Sequence, residues 1–240
     1  MKCEAFAVLG TPRFGGILIV ADHASNRVPD DIDLGIDAAL LDQHIAVDIG
    51  VADIARLMAQ REGTAALLGN VSRLVCDTNR TEADPAAIPE QSDGYSIPGN
   101  IGIDRQSRLE RFHRPFHDQL TRLLEGAPPA LTLILHSFTP ALASQPGEPR
   151  PWHCGLLYDE DDRGARAALP LLEADGLMVG DQQPYSGKIY NAAIERHVES
   201  EGRPYLYVEI RQDLITDKAG QAEWAERLGR ICNEVAIAIN

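Results

Sequence analysis

Short apolar runs alternate along this chain with longer stretches in which apolar residues recur every three or four positions. Ile17 to Ala21 (ILIVA), Leu74 to Cys76 (LVC), Leu131 to Leu135 (LTLIL) and Tyr205 to Ile210 (YLYVEI) are brief, aliphatic or β-branched, and flanked by polar or turn residues, which predicts buried strands. Thr64 to Leu68 and His153 to Leu157 are further strand candidates. Helices are predicted where the period lengthens. From Ala38 to Arg61, Leu41, Ile45, Ile49, Ala52 and Leu57 make an apolar stripe, with Gly63 placed to end it. From Asp104 to Leu124 the stripe is Leu109, Phe112, Phe116, Leu120 and Leu123. Arg163 to Ala174 and Lys218 to Ile239 complete the set, the last with Trp224, Leu228, Ile231 and Val235 at helical spacing.

Strands that alternate with helices predict an α/β fold, a three-layer αβα sandwich around a mixed, largely parallel sheet. At about 150 residues per domain, the 240 residues make one large domain or two small ones. Two turn-rich stretches, Thr81 to Gly102 and Thr139 to Pro151, lack the composition of a linker, so a single domain over 1–240 is expected. Connections of that length often cover active sites.

Charge narrows the partners. Lys and Arg number 22 against 36 Asp and Glu, a formal charge of −14. So negative a surface repels phosphate backbones and anionic headgroups, and argues against nucleic-acid or membrane binding. An anionic substrate would need a local island of arginines. No apolar run is long enough to span a bilayer, and the opening MKCEAFAVLG is unlike a secretory signal. The cysteines Cys3, Cys76, Cys154 and Cys232 lie far apart without a CxxC pair and read as buried, reduced thiols. A cytoplasmic protein is expected.

In open α/β sheets ligands collect beyond the carboxyl ends of the strands. The first predicted strand is followed by Asp22-His23-Ala24-Ser25-Asn26, LVC by Asp77-Thr78-Asn79-Arg80, and LTLIL by His136-Ser137-Phe138; the last holds Glu209 and leaves through Arg211 and Asp213. Two histidines at equivalent strand ends suit a metal as well as a structural hydrogen bond, and a catalytic zinc takes roughly three protein ligands and a water. The third ligand is not evident from this pattern alone. Arg73, Arg80 and Arg211 are candidates for the cationic island, since a guanidinium grips a carboxylate in bidentate fashion, with internal ion pairs to Asp22, Asp77, Glu209 or Asp213 as the alternative. His113 and His117 are spaced i, i+4, but Arg114 occupies the glutamate position of HExxH, so they read as the polar edge of a helix. His44 and Asp48 share the i, i+4 relation on the first predicted helix. His153 and His197 have no partner in sequence. Neither a GxSxG elbow nor a phosphate-cradling glycine loop follows a strand.

The segments ILIVADHASNRVPDD, HIAVDIG, SRLVCDTNR, FHRPFH, LILHSF and YLYVEIRQDLI, in that order and across nearly the whole chain, resemble the N-formylglutamate amidohydrolase family, itself similar to zinc carboxypeptidases and aspartoacylase. The resemblance implies a phosphorylase/hydrolase-like sandwich and a zinc-dependent amide hydrolase. It places His23 and His136 as metal ligands, Glu209 as general base, and Asn79 with Arg80 as a substrate-binding pair; Arg73, Arg211 and Ser137 join as further substrate contacts. Asn26 stands where the carboxypeptidase HxxE motif has its glutamate, which leaves Asp48, a water or Asn26 as third ligand, Asp48 having the better ligand chemistry. The expected substrate is a small N-acyl amino acid bearing carboxylates, with N-formyl-L-glutamate first. The alternatives are a peptidase or γ-glutamyl hydrolase on the same site, and a metal-free binding relative.

Overall fold

The computed structural model describes residues 4–145, 147–189 and 196–240; Cys3 lies outside them. One sheet holds seven strands: β1 (Phe6–Gly10), β2 (Ile17–Ala21), β3 (Thr64–Gly69), β6 (Leu131–Phe138), β7 (Cys154–Leu157), β8 (Val179–Asp181) and β9 (Tyr205–Arg211). Their spatial order is β1-β3-β2-β6-β9-β7-β8, and a small hairpin, β4 (Gln91–Ser92) with β5 (Tyr95–Ser96), stands apart. Among the described residues of this sheet, four of the six pairings are parallel, and β1 on β3 and β7 on β9 are antiparallel. The helices are α1 (Val51–Met58), α2 (Arg105–Arg108), α3 (Arg114–Gly126), α4 (Arg163–Ala174) and α5 (Lys218–Ile239).

Both faces of the central strands are covered, which is why β2 is apolar throughout and every residue of β6 is buried. Ile19, Leu133, Leu135, Val208 and Ile210 pack with α1, α4 and α5 on one face. Leu18 and Val20 meet Phe116, Leu120 and Leu124 of α3 on the other, where Ile134, Tyr205 and Tyr207 also lie. The expected three-layer αβα architecture is therefore the one observed.

Three local expectations differ from the structure. The long helix expected from Ala38 to Arg61 is broken: a 3-10 turn over Ala38–Asp42 gives way to turns, and helix resumes only at Val51. Gly50, at φ 81°, sits against the backbone of Ile215, where a Cβ would collide with a carbonyl oxygen. Continuous helix cannot pass through that conformation. Leu74 to Cys76 is buried turn, not strand; the carbonyls of Leu74 and Val75 accept from Asn100 Nδ2 and Arg108 Nη1 instead of from a ladder. Finally, β6 runs on to Phe138, so His136 and Ser137 lie inside the strand, and the edge strands β1 and β8 are additional to those predicted, although Phe6 to Leu9 is itself a short apolar run.

Candidate active site

The break in the predicted helix draws residues 43–50 across the ends of the central strands. The Asp48 amide donates to the carbonyl of His23 at 3.0 Å, and the Ser72 hydroxyl holds the carbonyl of Ala46 at 2.8 Å. Asp48 thereby reaches the histidines from a turn, and His44, no longer its helix neighbour, pairs instead with Asp93 at 2.9 Å. His23 follows β2 directly and donates from Nε2 to Asp77 Oδ1 at 2.7 Å. Its Nδ1 is left without a hydrogen bond, 3.6 Å from Asp22 Oδ1 and 3.6 Å from Asp48 Oδ1. His136 lies 2.9 Å through Nδ1 from Asp48 Oδ2 and 3.2 Å through Nε2 from Asp22 Oδ1, and its ring stands edge-on to that of His23. The second oxygen contact of Asp48 comes from Arg73, which bridges Asp48 and Asp77 at 3.2 Å each. Asp22, His23 and His136 offer three donor atoms within 4.8 Å of one another.

Glu209 pairs in register with His136 on the adjoining parallel strand, and Tyr207 shares its face. The Tyr207 ring tilts against His136 with 5.0 Å between centroids, and its hydroxyl accepts from Asn79 Nδ2. These contacts set the electrostatics. Burial pushes the Glu209 carboxyl up to about 7, with His136 pulling the other way. Burial alone would lower His23, but Asp77, Asp22 and Asp48 outweigh it and push the imidazole up to about 10. His136 moves the same way, its burial opposed by Asp22 and Asp48. Against the effect of burial, His23 and His136 hold Asp48 well below the usual carboxylate range, and His23 and Arg73 do the same for Asp77. The group thus gathers negative charge tightly enough to keep protons on its histidines, an arrangement that a cation could replace.

A cavity of about 190 Å³ opens onto His23, Asp48, His136, Glu209, Asn79 and Arg80, with Arg73, Ser137 and Tyr185 also in its wall. A second cavity of about 370 Å³ adjoins it past Arg73 and Arg80, between the β4–β5 hairpin and residues 142–144. The two long loops of the sequence meet there. Asp93, at the hairpin tip with φ 42°, accepts from the amides of Ala143 and Ser144 as well as facing His44.

Not every candidate is brought to the cavity. Arg211 is turned away, paired with Asp213 at 2.7 Å and donating to the carbonyls of residues 150–152. Asn26 is exposed and donates to Asp42 at 2.8 Å, so it does not approach the histidines. Ser137 lines the wall, but its amide and hydroxyl are spent on Asp48 and the carbonyl of Ile49. His113 and His117 bind backbone carbonyls, and His197 joins His117. Burial pushes the Cys76, Cys154 and Cys232 thiols up to about 12, away from nucleophilic use. Tyr207 and Tyr185 were not singled out by sequence, although the two-residue alternation Tyr205, Tyr207, Glu209 already puts Tyr207 on the face of Glu209.

Among solved structures, that of a gene product from Agrobacterium tumefaciens is 31% identical, with a TM-score of 0.91 over 99% of this chain and 97% of that one. The crystal structure of N-formylglutamate amidohydrolase from Ralstonia eutropha shares the fold at 21% identity, TM-score 0.76, over 97% of each chain. A search of the curated proteins finds no match. The family model for N-formylglutamate amidohydrolase matches residues 15–216, a span that runs from the first central strand past Glu209 and takes in every residue of the cavity wall. By that match this chain, an amidohydrolase, belongs to the N-formylglutamate amidohydrolase family.

Proposed function

We propose that the chain cleaves the amide bond of an N-acyl amino acid, N-formyl-L-glutamate first among them, giving formate and L-glutamate with the help of one zinc ion. The observation that carries this proposal is the buried histidine–carboxylate group facing the cavity beside Glu209. The donors fit a divalent ion: His23 Nδ1 is buried without a hydrogen bond, and imidazole with carboxylate is a common zinc set. Two carboxylates compete for the third place. Asp22 lies behind the histidines, whereas Asp48 lines the cavity, and a catalytic ion needs its open position on the cavity side. We therefore assign His23, His136 and Asp48 as ligands. Asp77 then backs His23 through a hydrogen bond to its other nitrogen, the usual support for a metal-bound histidine, and Asp22 stands 3.2 Å from Nε2 of His136 without a hydrogen bond.

When bound, the ion would polarise the acyl carbonyl and acidify water. Glu209 takes the proton of the attacking water on its carboxylate and returns it to the departing nitrogen. Arg80, with the Asn79 amide beside it, receives a substrate carboxylate in the cavity mouth. Arg73 is already committed to Asp48 and Asp77 and lends its charge to the oxyanion while holding Asp48 in place. The adjoining cavity favours a second substrate class, γ-glutamyl or peptide amides, whose longer chain would extend past Arg80.

Metal analysis of the purified protein, followed by turnover of N-formyl-, N-acetyl- and N-succinyl-L-glutamate, N-formyl-L-aspartate and γ-glutamyl peptides, tests the proposal. Stoichiometric zinc with preferred cleavage of N-formyl-L-glutamate supports it. Preference for the peptides moves the substrate to the second class. Failure to bind zinc or to cleave any of them with zinc supplied refutes it.

A further inference from the structure

The FHRPFH segment takes no part in the chemistry above, yet its two histidines touch the chain that carries Asn79 and Arg80. Among the described residues, 76–80 have no strand partner. Their amides are served locally, Asp77 by the carbonyl of Ala87, Asn79 by its own neighbour's carboxylate, Arg80 by the carbonyl of Asp77. The carbonyls that bracket the Asn79–Arg80 pair are served from outside: His117 Nε2 reaches Thr78 O at 2.9 Å and His113 Nε2 reaches Arg80 O at 2.8 Å. Both rings come from one helical stretch, where a π-turn over Leu109–His113 passes into α3.

Hydrogen-bond direction is fixed by these acceptors. A carbonyl only accepts, so each Nε2 bears the hydrogen, and in a neutral ring Nδ1 is bare. His117 Nδ1 then accepts from His197 Nε2, 2.7 Å away, with the two ring planes 10° from parallel. His197 is buried, and Arg203 donates to its backbone carbonyl just ahead of β9. All three rings stay neutral. Burial lowers each of them, His197 to about 4, with Arg196 and the neighbouring histidines adding to the effect on His117. Glu82 lies 3.8 Å from His113 Nδ1, and Asp77 also bears on that ring.

We propose that His113, His117 and His197 form a neutral imidazole clamp that positions the Asn79–Arg80 pair for the substrate carboxylate, replacing the strand ladder this segment lacks. The clamp rests on the substrate-binding role assigned above to Arg80. Steady-state kinetics on N-formyl-L-glutamate test it. Removing the donor in His117→Phe is expected to raise KM about tenfold with kcat little changed, the scale of leaving a buried carbonyl unpaired. His117→Gln, which keeps an N–H in the place of Nε2, should restore most of the loss. In an Arg80→Lys background the same phenylalanine substitution should add less than about twofold, since the residue it positions is already impaired. Additive effects, or a glutamine no better than phenylalanine, overturn the clamp. Nitrogen NMR of the wild-type imidazoles gives an answer even where His117→Phe does not fold: His113 and His117 are expected neutral with hydrogen on Nε2, and a cationic or Nδ1–H His117 at pH 7 refutes the arrangement. An unchanged KM in Arg80→Lys alone, with the expected NMR signature, would instead refute the role of Arg80.

Discussion

Replacing Glu209 by glutamine should slow the enzyme and strengthen the fold in the same molecule. The folded carboxyl keeps its proton to about 7 against an ordinary 4.5, because burial between β6 and β7 penalises its charge. Between those two values the unfolded chain binds fewer protons than the folded one at this position, so wild-type stability falls as pH rises through the window and levels off above it. At about 1.4 kcal/mol per unit, the cost of the ionised carboxylate reaches at most about 3 kcal/mol above pH 7. Glutamine has nothing to ionise. Urea unfolding of chelator-treated protein, with no cation present to draw the carboxylate's titration down, should find the variant close to wild type at pH 5 and more stable by about 1–3 kcal/mol at pH 8.5. Under assay conditions with zinc restored, kcat should fall by about 10²–10⁴-fold, the scale of a lost general base. A stability difference that does not change with pH would refute the buried, proton-retaining carboxyl. Near wild-type kcat would refute Glu209 as the base.

His23→Ala, His136→Ala and Asp48→Asn should each lose stoichiometric zinc with the far-UV circular dichroism intact, whereas Asp22→Asn should only weaken zinc affinity by about 10–100-fold; the reverse ranking of the two aspartates would move the ion to the far side of the histidines. Arg80→Lys should raise KM for N-formyl-L-glutamate more than it lowers kcat, because a point charge replaces a planar fork, and a dominant fall in kcat would place Arg80 at the oxyanion instead. Arg211→Ala should leave both kinetic constants unchanged while costing about 1 kcal/mol in urea unfolding, as its links to Asp213 and the 150–152 carbonyls are lost; a raised KM would return Arg211 to the substrate.

The central strands were legible because burial on both faces writes itself as an unbroken apolar run, and the residues that follow such a run stand at the sheet's carboxyl edge. That rule located His23 and His136 without any knowledge of contacts, and Glu209 stood out as the one carboxylate inside the last such run. It failed where the chain solves its hydrogen bonding with side chains. Leu74 to Cys76 is as apolar as a strand, but Asn100 and Arg108 serve its carbonyls from more than 25 residues away, a debt no local pattern records. The first helix failed for a different reason. Of its stripe only Ile45 is buried and Leu57 is exposed, because Gly50 interrupts the backbone and the helix that resumes beyond it buries Val51, Ile54, Ala55 and Met58 instead. A glycine inside a helical pattern was the available warning. Arg211 was a candidate because the last strand leaves through it, a position that says nothing about which loop, here 150–152, is waiting beyond the strand end.

The register between His136 and Glu209 separates two jobs that many enzymes entangle. Adjacent parallel strands keep a fixed spacing of about 4.8 Å, so the distance from Glu209, the proposed base, to His136, a proposed ligand, is held by main-chain hydrogen bonds in the middle of the molecule. The walls that meet the rest of the substrate come from the β4–β5 hairpin and the 139–145 stretch, joined through Asp93. Insertions, deletions or exchanges in those stretches can reshape what enters without disturbing the atoms that break the bond. A scaffold divided in this way can change its diet by drift at the rim while its chemistry stays put. For a protein engineer, the rim is where libraries belong.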